Sequence, residues 1–152
     1  MEQAHRLLLE FDGVMNEICH AYQQAGRMLG LPESTFWLLY TLWLHHAPLT
    51  QTQLIAATSL PAQTVNSALK KLEQQQLVEL RPCTQNRRSK EVHLTPQGQT
   101  LAANTVARVA ALEQQALGNM GSQLPQFLQL LHLYCGQFKQ LLPQLTKEDP
   151  TP

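Results

Sequence analysis

Charge is scarce in this chain. Charged residues make up 14% of its 152 positions, roughly half the ~25% usual for a soluble domain. The stretch from Ser34 through Leu69 has no Lys, Arg, Asp or Glu. Eleven basic residues cancel eleven acidic ones, which by itself argues against strongly electrostatic binding to a polyanion. Cysteine is also rare: Cys19, Cys83 and Cys135 are odd in number and contain no close pair. That pattern fits a reducing compartment better than a disulfide scaffold. No apolar run reaches the ~20 residues needed to cross a bilayer, and the amino terminus does not read as a cleavable signal, because Glu2, Glu10 and Asp12 flank the brief Leu7-Leu8-Leu9 run. A cytoplasmic location without membrane contact is the resulting expectation. No glycine-rich phosphate loop, paired carboxylates on one helix face, or Ser, His and Asp constellation can be assembled. An enzyme with catalytic residues or a cofactor is therefore not expected. Nor is a metal site, since Cys19-His20 and His45-His46 are adjacent pairs, and neighbours on a helix point in different directions.

What is present is concentrated between Leu49 and Gly98. Thr50 with Gln53 three residues on is a capping-box signature, and Leu54, Ile55 and Ala57 give the helix that follows an apolar side. Thr58-Ser59-Leu60 breaks the pattern, and Pro61 stands at or just before the next first turn, where its missing N–H does no harm. In the second helix Val65, Ala68, Leu69 and Leu72 recur at helical spacing and are expected to point inward. Gln63, Asn66, Ser67 and Lys70, with Thr64 beside them, then share the outward face. Beyond Gln76 the period changes. Leu77-Val78-Glu79-Leu80 and Glu91-Val92-His93-Leu94 read as two strands joined by a basic loop that carries Arg87, Arg88 and Lys90.

Two helices, a tight turn and a basic hairpin form the outline of a winged helix-turn-helix. An amide-rich helix face can pair with adenine edges in a major groove, and arginines on a hairpin tip can enter a minor groove. The charge distribution supports this outline better than the total does. From Pro48 to Thr95 six bases (Lys70, Lys71, Arg81, Arg87, Arg88, Lys90) stand against three acids (Glu73, Glu79, Glu91), a local +3, and the remainder carries −3. With so few charges, Thr50, Gln51, Thr52 and backbone N–H groups at helix starts would carry much of the contact to phosphate.

The flanking segments are helical. Leu8, Phe11, Val14, Met15, Ile18, Tyr22 and Leu29 form one stripe that ends near Gly30 and Pro32. A second stripe runs from Leu124 to Leu145, and between them Thr95 and Pro96 start a helix expected to reach Gly118. Residues 36–44 are apolar nearly all round and should form the buried centre.

The run Asn86-Arg87-Arg88-Ser89-Lys90-Glu91-Val92-His93-Leu94-Thr95-Pro96-Gln97-Gly98 resembles the wing signature of the MarR-type (multiple-antibiotic-resistance) repressors of bacteria and archaea. That signature is Asp-x-Arg, a strand ending in Leu-Thr, and a Gly after two more residues. Leu69-Lys70-Lys71-Leu72-Glu73 through Leu77-Val78 resembles the same family's recognition helix running into the wing, and the likeness covers almost the whole chain. Two departures remove charge from the expected DNA face: Asn86 replaces the wing aspartate, and Ser67 stands where an arginine is common.

The resemblance implies a mainly α fold with a small β wing, a single domain over 1–152. Residues 1–31 and 96–146 would be dimerisation helices, 34–95 the winged helix-turn-helix lobe and 147–152 a tail. It further implies a homodimeric repressor on a pseudo-palindromic double-stranded DNA site, released by a small aromatic or phenolic effector for which Tyr22, Met28, Tyr40, Trp43 and His46 are candidates. Two alternatives remain open. One is a winged-helix protein-interaction module that no longer binds DNA; the other is a redox-sensing regulator using Cys83, expected as an exposed thiol beside Arg81.

Overall fold

The structure, a computed structural model, describes residues 2–83 and 89–146. The chain forms two compact units, Met1–Ala111 and Leu112–Pro152.

In the first unit, α1 (Glu2–Met28) leads into α2 (Glu33–His45). Gly30, at φ 65, ends α1: its left-handed backbone lets the Gly30 N–H bond the Arg27 carbonyl and the Leu31 N–H bond the Gly26 carbonyl, closing the last turn. Phe36 and Leu38 through Leu42 of α2 are buried, as its all-round apolarity requires. Next come β1 (Leu49–Thr50), α3 (Gln51–Thr58), α4 (Ala62–Gln74), β2 (Val78–Pro82), β3 (Lys90–Leu94) and α5 (Pro96–Asn104). The three strands are antiparallel in the order β1-β3-β2.

Two side chains fix where helices begin. At α3 the Thr50 N–H donates to Gln53 Oε1 at 2.9 Å, and the Gln53 N–H donates to Thr50 Oγ1 at 3.3 Å, the expected reciprocal cap. Thr50→Ala should lower stability by about 1 kcal/mol, seen as a fall of roughly 2–4 °C in Tm by thermal unfolding. At α5 the Gly98 N–H donates to Thr95 Oγ1 at 3.0 Å, while the Thr95 hydroxyl donates to the Gln76 carbonyl at 2.6 Å.

One buried cluster joins Leu38 and Leu42 of α2 to Leu54 of α3, to Val65, Leu69 and Leu72 of α4, and to Val78 and Val92 of the sheet. A second is built from Phe36, Leu39, Tyr40, Ala102 and Val106. By contrast α1 buries only Gly26, leaving Leu7, Leu8, Leu9, Val14, Met15 and Ile18 exposed.

Three features differ from the sequence reading. A third strand, β1, pairs Leu49 with Val92 and Thr50 with Glu91. The helix expected from Thr95 to Gly118 is broken at Thr105 (φ −123, ψ −90), where α5 ends and α6 (Val106–Asn119) begins. The buried Thr105 hydroxyl donates to the Leu101 carbonyl at 2.6 Å, a backbone partner that lets a β-branched residue leave the helical path. Cys83, expected as an exposed thiol, is only 7% exposed, with its N–H bonded to the Ser89 carbonyl. Closure of the hairpin at that pair turns the side chain inward.

The second unit contains a short 3₁₀ turn (Gly121–Gln123), then α7 (Leu124–Leu141) and a final 3₁₀ turn (Leu142–Thr146). Helix α7 buries no residue; Leu128, Leu130, Leu133, Tyr134, Phe138 and Leu141 are all exposed. Among the described residues no helix is long and apolar enough to cross a membrane, and no group of three or more His, Cys, Asp or Glu could hold a metal ion.

Candidate nucleic-acid interface

Helix α4 is the best-defined part of the candidate surface. Val65, Ala68, Leu69 and Leu72 are buried, so the helix cannot rotate without removing them from the core. Gln63, Thr64, Asn66, Ser67 and Lys70 consequently face solvent. Gln63, Asn66, Ser67 and Lys70 recur at i, i+3, i+4 and i+7 along one side, with Thr64 beside them, the placement a groove-reading helix requires.

Both ends of α4 are fixed. At its start Ser59 takes a left-handed conformation (φ 54) and Pro61 is the N-cap. At its end Gln76 (φ 58) holds a left-handed turn, with the Gln76 N–H bonded to the Glu73 carbonyl and the Leu77 N–H to the Leu72 carbonyl. This double bond pattern is the one that glycine usually completes at a helix end, and here a glutamine adopts it. It also feeds the chain directly into β2.

Of the residues expected at phosphate, Thr50 and Gln51 are half-buried and Thr52 is exposed, all at the start of α3. The Thr50 side chain is engaged by its cap, which leaves Thr52 the more available. Lys90 is exposed at the start of β3. Arg87 and Arg88 lie outside the described residues. Arg81, counted in the local positive balance, is paired with Glu79 on its own strand, and Glu91 stands 3.4 Å from His93. Arg81 and Glu79 of the hairpin stem thus offset each other, while Lys70 and Lys71 of α4 and Lys90 of β3 are exposed cations.

The five candidate effector residues do not share one cavity. Tyr22 and Tyr40 belong to an aromatic group with Phe36 and Trp37, ring centroids 5.0–6.4 Å apart. Trp43 packs against the same buried cluster as that group, and its ring lies 6.2 Å from that of His46. Met28 is 79% exposed. His93 and Gln99, which line the cavity beside Trp43 and His46, carried no signal in the sequence because only the fold brings β3 and α5 to the end of α2.

A MarR family model matches residues 29–89. Comparison with curated proteins finds no significant match. The chain is similar in structure to NMB1585, a MarR family regulator from Neisseria meningitidis, with a TM-score of 0.77 and 24% identity over 91% of this chain and 97% of that one. It is similar to the transcriptional regulator BldR from Sulfolobus solfataricus, with a TM-score of 0.66 and 17% identity over 90% and 99% of the two chains. It is also similar to S. aureus MepR in its DNA-binding conformation, at 0.66 and 19% over 89% and 98%. At these identities the likeness is one of fold.

Proposed function

We propose that this chain, which a MarR family model matches over residues 29–89 and which shares its fold with MarR family regulators, is a winged-helix transcription regulator that acts as a homodimeric repressor on a pseudo-palindromic DNA site. The observation that carries this reading is the anchored α4, whose buried side leaves Gln63, Asn66, Ser67 and Lys70 on one exposed face. MepR, a protein of similar fold, is known in a DNA-binding conformation.

In this reading α4 enters the major groove, and Gln63 and Asn66 are placed to pair with adenine N6 and N7. Thr52, Lys70 and Lys90 meet the backbone, and Arg87 and Arg88 of the wing reach the minor groove. An effector of small aromatic or lipophilic kind releases the DNA by binding the two lobe arrangements unequally.

The test is a fluorescence-anisotropy titration against duplexes selected from a random pool, at two salt concentrations. A selected pseudo-palindrome should emerge. Asn66→Ala should relax discrimination at one base position, by about 1–3 kcal/mol. Arg88→Ala should weaken binding to all sequences alike and reduce the salt slope by about one per protomer. No enrichment at low salt would overturn the proposal in favour of a protein-binding module, the reading favoured by a recognition face with Lys70 as its sole charge.

A further inference from the structure

The buried side of α4 fixes its rotation, but direct packing does little to fix its angle to α5, because the two helices make little contact. A groove of about 690 Å³ lies between them, with Gln75 and Leu77 at the end of α4 on one side and Gln97, Thr100, Leu101 and Asn104 on the other. One side chain bridges the two elements. The half-buried Thr95 donates its hydroxyl to the Gln76 carbonyl at 2.6 Å and accepts the Gly98 N–H on the same oxygen at 3.0 Å.

The bonds of Thr95 differ in what they hold. Its N–H, 3.1 Å from the Leu77 carbonyl, continues the β2–β3 ladder beyond the Val78 and Leu94 pair. The bond from Gly98 caps α5. The bond to Gln76 does neither: it ties the turn that ends α4 to the residue that starts α5.

We infer that Thr95 is a positioning residue for half-site spacing. Through the Gln76 carbonyl it sets the angle between α4 and α5, and thereby the spacer length that the DNA-bound homodimer accepts. The inference rests on the homodimeric DNA reading above, in which the helices beyond α5 join two protomers and a change in this angle occurs twice, once on each side of the twofold axis. One base pair more or less between half-sites moves them by about 3.4 Å and turns them by about 35°. A dimer with both ties intact cannot follow that shift, whereas one without them can tilt each α4 toward its half-site. A neutral hydrogen bond is worth about 2- to 10-fold, and the dimer has one tie in each protomer.

The experiment takes the pseudo-palindrome selected by the parent chain, changes its central spacer by one and two base pairs, and follows binding by fluorescence anisotropy. Thr95→Ser keeps both hydroxyl bonds and Thr95→Val loses both. Thr95→Asp loses the tie alone, since an ionised carboxylate caps a helix well but cannot donate, and it decides the matter if Thr95→Val does not fold. The parent and Thr95→Ser should prefer one spacer by at least about 10-fold over its neighbours. In Thr95→Asp and Thr95→Val that preference should fall to about 3-fold or less, with affinity for a single half-site duplex within about 3-fold of the parent. Were Thr95 merely a cap, Thr95→Asp would select spacers as the parent does. That outcome, or a half-site affinity that falls as far as the full-site affinity, overturns the inference and leaves the DNA reading standing. A parent that binds every spacer alike overturns both the inference and the paired half-sites on which it rests.

Discussion

Gly98→Ala should cost about 3–5 kcal/mol, at the upper end of what a single substitution does, and lower Tm by roughly 10 °C or more. The cause is space rather than backbone conformation. A Cβ on Gly98 would lie 1.9 Å from the Leu77 carbonyl oxygen and 2.9 Å from its carbon. That oxygen cannot retreat freely, because it accepts the Thr95 N–H at 3.1 Å. Thr95 in turn caps α5 through the Gly98 N–H and donates its hydroxyl to Gln76. Leu77 itself closes the end of α4 through its bond to Leu72. One added methyl group therefore pushes on the junction that sets α4, β2 and α5 against one another. Gly118, where an added Cβ would meet nothing within 4 Å, is the control: Gly118→Ala should leave stability unchanged or raise it by under ~1 kcal/mol. Thermal unfolding of both variants decides the matter, and a Gly98→Ala protein that melts with the parent would show that the junction yields.

Gly98 also shows what the sequence could and could not disclose. Its place in a family-like run was legible, but the reason for it was not, since the carbonyl it meets belongs to a residue 21 positions earlier. Features governed by neighbours in the chain were legible throughout: the Thr50 and Thr95 caps, the inward Val65, Ala68, Leu69 and Leu72, the end of α1 at Gly30, and the two strands of the hairpin. Features created by pairing at a distance were not. Strand β1 is two residues long, too short for any periodicity, and exists because β3 offers it an edge. The break at Thr105 depends on one hydroxyl finding the Leu101 carbonyl, which helical spacing does not encode. The candidate DNA face was legible as polar residues on α4, and the local charge balance was legible too, but not that Arg81 and Glu79 of one strand pair with each other.

The largest functional loss should come from residues of the terminal helices rather than of that face. Leu133 and Phe138 of α7 are 55% and 52% exposed, and Ile18 of α1 is 45% exposed. On a true solvent surface, a charge at any of them would change stability by no more than about 0.5 kcal/mol. Apolar stripes of this extent on both terminal helices are instead the mark of an association surface, and the proposed homodimer gives them an occupant. Phe138→Glu and Ile18→Glu should then convert the dimer to monomer in sedimentation velocity, each removing an anchor worth about 2 kcal/mol or more. DNA affinity should fall by at least about 100-fold even though α4 is untouched. A dimer presents its second recognition helix at an effective concentration near millimolar, about 34 Å from the first, and a monomer must bind each half-site alone. A half-site duplex separates this cause from damage to the lobe: parent and variant should bind it equally. Dimers that persist in both variants, or a parent that sediments as a monomer while binding the full site tightly, would overturn the two-helix reading and leave each lobe to act by itself.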